Sequence, residues 1–249
     1  MTAINAQQAA RHLLQARSGS AVASQLVLPA DRAGAYAIQD ATLAQLGPIA
    51  GWKVGAKGPQ AEPTFAPLPA AGLLAGPAVL AGPPWQLRGI ELEVAFRLGR
   101  DLDPGDALLA PADLIAAIDS VLPAIEVVET RLADWRGADP LAQLADLQSH
   151  GALVLGTPST LRPDTVDLRT VQARLRFNGQ EVANTHGGNP AADVWRMLAW
   201  LARHCALRGQ PLRAGQVLTT GSCTGMLFAP ALAQVQGQLE GIGRVELHF

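Results

Sequence analysis

Two apolar runs carry charges where a folded chain can least tolerate them. Arg88-Gly-Ile-Glu-Leu-Glu-Val-Ala-Phe96 holds Glu91 and Glu93, and Leu122-Pro-Ala-Ile-Glu-Val-Val128 holds Glu126. Each run otherwise reads as a buried strand, and a carboxylate buried there is costly unless a cation meets it. Residues two apart on a strand face the same way, so Glu91 and Glu93 share one face. A third carboxylate from another strand completes an all-oxygen site of the kind that Mg²⁺ or Mn²⁺ prefers. For Glu91 and Glu93 alone, a solvated strand face is the competing reading.

The remaining chain supplies a body large enough to enclose such a site. Its 249 residues can bury a full core, and 49% of them are hydrophobic against 16% charged. A formal net charge of -2 gives no electrostatic reason to expect nucleic acid or an anionic membrane as partner. Cys205 and Cys223 lack metal-ligand spacing and read as free thiols. The N-terminus has no basic stretch leading into an apolar core, and no window of about 18 apolar residues suggests a membrane span. A cytoplasmic protein is the expectation.

The element pattern is α+β. Residues 3–17 and 31–46 read as amphipathic helices, the second with Ala35, Ile38 and Leu46 on one face and Thr42 as a polar interruption. Ile49–Gly55 is a short strand. Residues 56–84, rich in Pro, Gly and Ala, read as a long lid or site-lining loop. Strands are expected over 88–98 and 122–129, with a helix near 112–120 that Pro111 starts, and another apolar run spans 151–156. Asn178-Gly179 between 172–177 and 180–183 marks a two-residue hairpin. A helix over 191–207 precedes strands at 216–220, 235–239 and 244–249. Trp195 and Trp200 suit the core or a subunit contact.

These motifs, in this order, resemble the 2-keto-4-pentenoate hydratase / 4-oxalocrotonate decarboxylase family, a branch of the fumarylacetoacetate hydrolase superfamily. The carrying pieces are Gly51-Trp-Lys-Val-Gly55, Ile90–Phe96, Leu122–Trp135, Gly209–Gly215 and Thr220-Gly221. The resemblance implies a mixed β-sandwich or roll over residues 51–249, preceded by a helical segment over 1–50 and commonly assembled as a homo-oligomer. It implies Mg²⁺ or Mn²⁺ held by Glu91, Glu93 and Glu126, and a small 2-oxo acid as the partner molecule. The implied activity is that of a lyase in the catabolism of aromatic compounds. Hydration of a 2-hydroxypenta-2,4-dienoate through a metal-stabilised enolate comes first. Decarboxylation of a 4-oxalocrotonate-type acid needs the same enolate and is the alternative. An acylpyruvate C–C hydrolase and a non-catalytic ligand-binding relative rank behind them.

By the same resemblance, Lys53 is the acid/base or orienting group and Ser149 a catalytic-site serine near the substrate. A surface lysine is the bland alternative for Lys53. Thr64, Leu92 and Gly221 are the further substrate-contacting candidates; Gly221-Ser-Cys-Thr-Gly225 could equally be a tight strand-exit turn. Three positions depart from the family pattern. Thr64 in Pro63-Thr-Phe-Ala66 stands where an aspartate is usual and cannot serve as a carboxylate base. Leu147-Gln148 replaces the usual asparagine before Ser149. Gly188-Asn-Pro190 replaces a Gly-His-Pro. Glu129 reads as a surface residue paired with Arg131, and His150 and His186 as hydrogen-bonded or exposed histidines.

Overall fold

Strand β1, Ile49–Gly55, carries the large side chains of Trp52, Lys53 and Val54 between two glycines, and the first of these glycines fixes where it runs. A Cβ on Gly51 would lie 2.2 Å from the carbonyl oxygen of Val217, so only glycine lets β1 lie parallel against β10, Val217–Ser222. The computed structural model describes residues 5–17 and 29–249. Residues 3 and 4 of the expected first helix lie outside them. Helix α1 is Ala6–Arg17 and α2 is Arg32–Leu46, capped by Asp31, whose carboxylate accepts from Gly34 N at 2.8 Å. Thr42 is not an interruption of the buried face but part of it, because its hydroxyl donates back to Ile38 O at 2.8 Å.

The expected loop over 56–84 is interrupted by three short strands. It contains β2 (Thr64–Pro69), β3 (Leu73–Ala75) and β4 (Ala78–Val79). Proline misleads here for a definite reason. Pro67 and Pro69 lie on β2, an edge strand paired only with β1, where a missing N–H leaves no ladder bond unmade.

Beyond it run β5 (Gly89–Leu98), α3 (Pro111–Ala117), β6 (Ile118–Val128), α4 (Pro140–Ala145) and β7 (His150–Leu155). Helix α3 is shorter than the expected 112–120, because Ile118 already begins β6. The hairpin β8 (Gln172–Phe177) and β9 (Gln180–His186) turns through Asn178 and Gly179 at φ of 50° and 80°, as the two-residue loop requires. Helix α5 (Val194–Leu207), the short β11 (Leu227–Phe228), β12 (Gln234–Leu239) and β13 (Gly243–His248) complete the order.

Two sheets result. The larger runs β2-β1-β10-β5-β6-β7-β3, with β11 added to β5, and the smaller runs β4-β13-β12-β8-β9. The larger sheet curls, bringing its edge strand β2 near β7. Its convex side meets the smaller sheet and the helices in the main core, where Leu92, Val94, Val235 and Leu175 are buried. Its concave side encloses a second apolar cluster of Leu68, Ala95, Leu122, Ala124, Leu153, Leu155 and Val217. Glu91 and Glu93 of β5 and Glu126 of β6 face this concave side. Among the described residues no helix is long and apolar enough to cross a membrane.

Candidate metal centre

Register places the acids together. On the antiparallel β5–β6 pair, Glu91 stands directly opposite Glu126 and Glu93 opposite Ala124. One carboxylate oxygen from each of Glu91, Glu93 and Glu126 lies within 4.8 Å of the others. Glu93 and Glu126 are each only 1% exposed. Lys53 comes from β1, two strands from β5 through β10, and its ammonium contacts Glu126 Oε1 directly. It also donates to Gln148 O at 3.1 Å.

The electrostatics of this cluster pull in different directions. Burial, reinforced by the Glu126 charge, pushes Glu91 up to about 7, although Lys53 opposes the shift. Burial and its two acidic neighbours likewise hold Glu93 well above the usual carboxylate range. Burial would raise Glu126 too, but the Lys53 ammonium and His150 outweigh it and bring Glu126 down to about 2. His150, fully buried with Nδ1 3.6 Å from Glu126 Oε1, is lowered by burial to about 4 despite that carboxylate. By itself the cluster is therefore short of positive charge: one lysine faces three acids.

A divalent cation fits this deficit. All three donors are hard oxygens, and Glu126 Oε2 is buried without a hydrogen-bond partner in the protein. Glu91, Glu93 and Glu126 would hold the ion.

The surrounding turns fix these side chains. Glu93 Oε2 accepts from the backbone N–H groups of Thr220 at 3.1 Å and Gly221 at 2.7 Å. Gly221 adopts φ +85°, which favours glycine, so its expected place near the site is as a backbone donor to a triad acid. Asn189 clamps the same turn by donating to Thr220 O and Gly221 O at 2.9 and 2.8 Å. That gives a structural use to a residue that reads in sequence only as a departure.

On the other side, Leu147, Gln148 and Ser149 take three consecutive positive φ values of 50°, 50° and 58°. Left-handed backbone at non-glycine residues costs roughly 1 kcal/mol each and needs external support. Buried Arg131 supplies it, pairing with Asp146 at 2.6 Å and donating to the backbone oxygens of Asp146 and His150 at 2.9 and 3.0 Å. This turn aims Gln148 O at Lys53 and Gln148 Nε2 at Thr64 Oγ1, which accepts its hydrogen bond. Ser149 Oγ accepts from Trp135 Nε1 at 3.0 Å.

Lys53, Thr64 and Gly221 thus meet the triad through this network, whereas Ser149 is tied to it only as the chain neighbour of Gln148, its hydroxyl meeting Trp135. Leu92 does not. Its side chain points the opposite way from Glu91 and Glu93, into the core against Gly237, where a Cβ would lie 2.5 Å from Leu92 Cδ1. Alternation on the strand dictates this, and near the site Leu92 offers only backbone: its oxygen accepts from Cys223 N at 2.7 Å.

Glu129 is a correction. It is 4% exposed and receives backbone N–H groups from Gln86, Leu87 and Arg88, while Arg131 belongs to Asp146. His186 is exposed. Gln148, Asn189 and His150 are the residues that sequence reasoning missed. The first two stand out locally only as departures from the family pattern, and the roles of all three depend on turns that close across the sheet.

The profile of the fumarylacetoacetate (FAA) hydrolase C-terminal family matches residues 52–249. A 2-keto-4-pentenoate hydratase of Paraburkholderia xenovorans is 32% identical over 160 residues, covering 64% of this chain and 58% of that protein. A 2-hydroxyhexa-2,4-dienoate hydratase of Comamonas testosteroni is 33% identical over 164 residues, covering 64% and 59%. The matched region thus spans about three fifths of the length of these curated relatives. Among solved structures, 4-oxalocrotonate decarboxylase from Pseudomonas putida G7, complexed with magnesium and adipate, superposes with a TM-score of 0.85. That match covers 100% of this chain and 98% of the other at 23% identity, a likeness of fold.

Proposed function

Given that the chain belongs to the fumarylacetoacetate hydrolase family, we propose that it is a divalent-metal-dependent lyase for a small 2-oxo or 2-hydroxy-dienoic acid, with hydration of a 2-hydroxypenta-2,4-dienoate-type substrate as its reaction. The observation that carries this reading is the convergence of three carboxylates beside one buried lysine inside the curled sheet. The hydratases among the relatives support the choice of substrate class.

Glu91, Glu93 and Glu126 would hold Mg²⁺ or Mn²⁺, which would supply Lewis acidity toward a 2-oxo acid. The protein does the rest. Lys53 is the proton carrier: its ammonium is held between Glu126 and Gln148 O, so it can deliver a proton to each of two substrate carbons in turn and recover one from the enol hydroxyl and one from the added water. The Gln148–Thr64 hydrogen bond sets the position of the carbonyl that Lys53 leans on. Ser149, oriented by Trp135, presents its hydroxyl for the substrate carboxylate or a water. The apolar cluster of Leu68, Leu122 and Leu155 keeps the concave side dry, which strengthens each polar contact there.

Decarboxylation of a 4-oxalocrotonate-type acid is the second reading, and one observation favours it. The partner of Thr64 is an amide, so this corner holds no carboxylate to activate a water. Losing CO₂ needs only one proton donor, and Lys53 suffices. Incubating the protein with Mg²⁺ and each substrate in turn decides between them. Loss of dienol absorbance with uptake of water, and no CO₂, is expected. Release of CO₂ from the dicarboxylate alone would replace hydration by decarboxylation, and inertness toward both would remove the lyase reading.

A further inference from the structure

The outer face of the smaller sheet carries positive charge that the triad chemistry leaves unused. On β8, β12 and β13 the residues facing away from the core form cross-strand rows. Arg174 pairs in register with Gln238, and Gln238 with Arg244, so two arginines flank one amide across three strands. The next row is Arg176, Gln236 and Glu246. These rows line a cavity of about 450 Å³, walled by Gly76-Pro77 and Gly156-Thr157.

The charges in this cavity do not cancel. Glu246 is engaged within its own surroundings: it accepts from Gln234 Nε2 at 2.7 Å and Gln236 Nε2 at 3.2 Å, and lies 2.9 Å from His248 Nε2. Arg176 leans away toward Glu181, 3.9 Å distant. Among the described residues, neither Arg174 nor Arg244 has a carboxylate within the 4.0 Å of an ion pair. Arg174 Nε is buried with no hydrogen-bond partner at all. A buried guanidinium N–H left unmade is costly, and it implies an acceptor. Gly156 lets the wall lie flush on β13, since a Cβ there would meet Arg244 O at 2.2 Å.

We propose that this cavity is a second ligand site, taking a small dianion (a dicarboxylate or a phosphate) between the guanidinium groups of Arg174 and Arg244, with the Gln238 amide between them. The two arginines stand two strand spacings apart, roughly 10 Å between their backbones, and their long side chains can close on an anion of a few atoms. Planar guanidinium forks match carboxylate and phosphate oxygens, and an anion held by two of them gains charge-assisted bonds at both ends. The site is separate from the triad. Gly237, between Gln236 and Gln238, backs onto Leu92, so the acids and the arginines occupy opposite outer faces of the packed sheets. The proposal does not depend on the lyase reading.

Calorimetry on the intact chain at low ionic strength tests it, with succinate, inorganic phosphate and acetate as probes. Saturable binding of succinate, phosphate or both is expected, with acetate weaker. Affinity should fall about tenfold or more in Arg174→Gln and in Arg244→Gln, and less in Arg244→Lys, which keeps the charge but loses the fork. Glu126→Gln should bind the dianion as the unaltered protein does. Whichever of succinate and phosphate binds more tightly identifies the source of the two charges. Absence of binding, or equal affinity in both glutamine variants with unchanged melting curves, would overturn the proposal. So would loss of binding in Glu126→Gln alone, which would put the anion at the triad. Concentration-dependent self-association that Arg244→Glu abolishes would assign the face to a second copy instead.

Discussion

Gln148 shows how much one residue can settle at this site. Its backbone oxygen holds Lys53 and its side chain holds Thr64, and both depend on a left-handed conformation that Arg131 and Asp146 stabilise from beneath. If Thr64 acts through this bond, then Thr64→Ser keeps most of the turnover, because the hydroxyl survives. Thr64→Val loses it, leaving the amide without its acceptor. We expect a fall in kcat of about tenfold to a hundredfold with little change in KM, since a misplaced Lys53 affects proton transfer more than binding. Equal kcat for the valine and serine variants would show that the contact is only structural. Lys53→Ala should abolish turnover while leaving metal binding measurable, and unaltered turnover would remove Lys53 from the mechanism. These residues also mark the limit of sequence reading. The triad could be read because a charge in an apolar strand is anomalous wherever the strand ends up. Gln148 could not, because no glycine announces its positive φ and its partners lie 84 and 95 residues away. Glu129 was misread for the same reason: it caps a loop more than 40 residues distant, while the nearby Arg131 suggested an ion pair.

At the scale of elements, β1 carries Lys53, and Gly51 sets how closely that strand approaches β10. The contact of Gly51 with Val217 lies at the parallel pairing of β1 and β10, two residues before Lys53 faces Thr219. Gly51→Ala must move one strand, since a backbone carbonyl cannot step aside as a flexible side chain can. Overpacking of this kind costs typically 1–3 kcal/mol, and here the displacement also withdraws Lys53 from Glu126. A lower denaturation midpoint together with lost turnover is therefore expected. Stability lost with activity kept would mean that Lys53 tolerates the shift. The hairpin β8–β9 was legible because Asn-Gly dictates its own geometry. Strand β2 was not, because prolines on an edge strand look in sequence like prolines in a loop, and which strand becomes an edge is decided only when the sheet assembles.

For the whole molecule, folding places three carboxylates inside a curled sheet with one lysine to meet them, so stability should depend jointly on pH and metal. Without metal, Glu91 titrates near 7 when folded and near 4.5 when unfolded. The folded chain therefore keeps a proton that the unfolded chain has released, and the stabilisation this gives, complete below about 4.5, disappears as the pH rises through about 7. Glu93 shifts in the same direction. Glu126 has the opposite sign, its contribution being lost only as the pH falls toward 2, and His150, lowered to about 4, loses its contribution as the pH falls below 6.5. Comparing the protein with Glu91→Gln isolates the first effect. In a chelator, Glu91→Gln should gain on the unaltered protein between pH 4.5 and pH 7 by up to roughly 3 kcal/mol, then hold that margin at higher pH. Mg²⁺ or Mn²⁺ at about a thousandfold its dissociation constant should reverse the order, since it adds roughly 4.1 kcal/mol to the folded state that binds it. Urea titrations at pH 5 and pH 8, with and without metal, give all four values. If the two proteins keep the same difference under every condition, the three carboxylates do not share a cation and the central claim about this fold is lost.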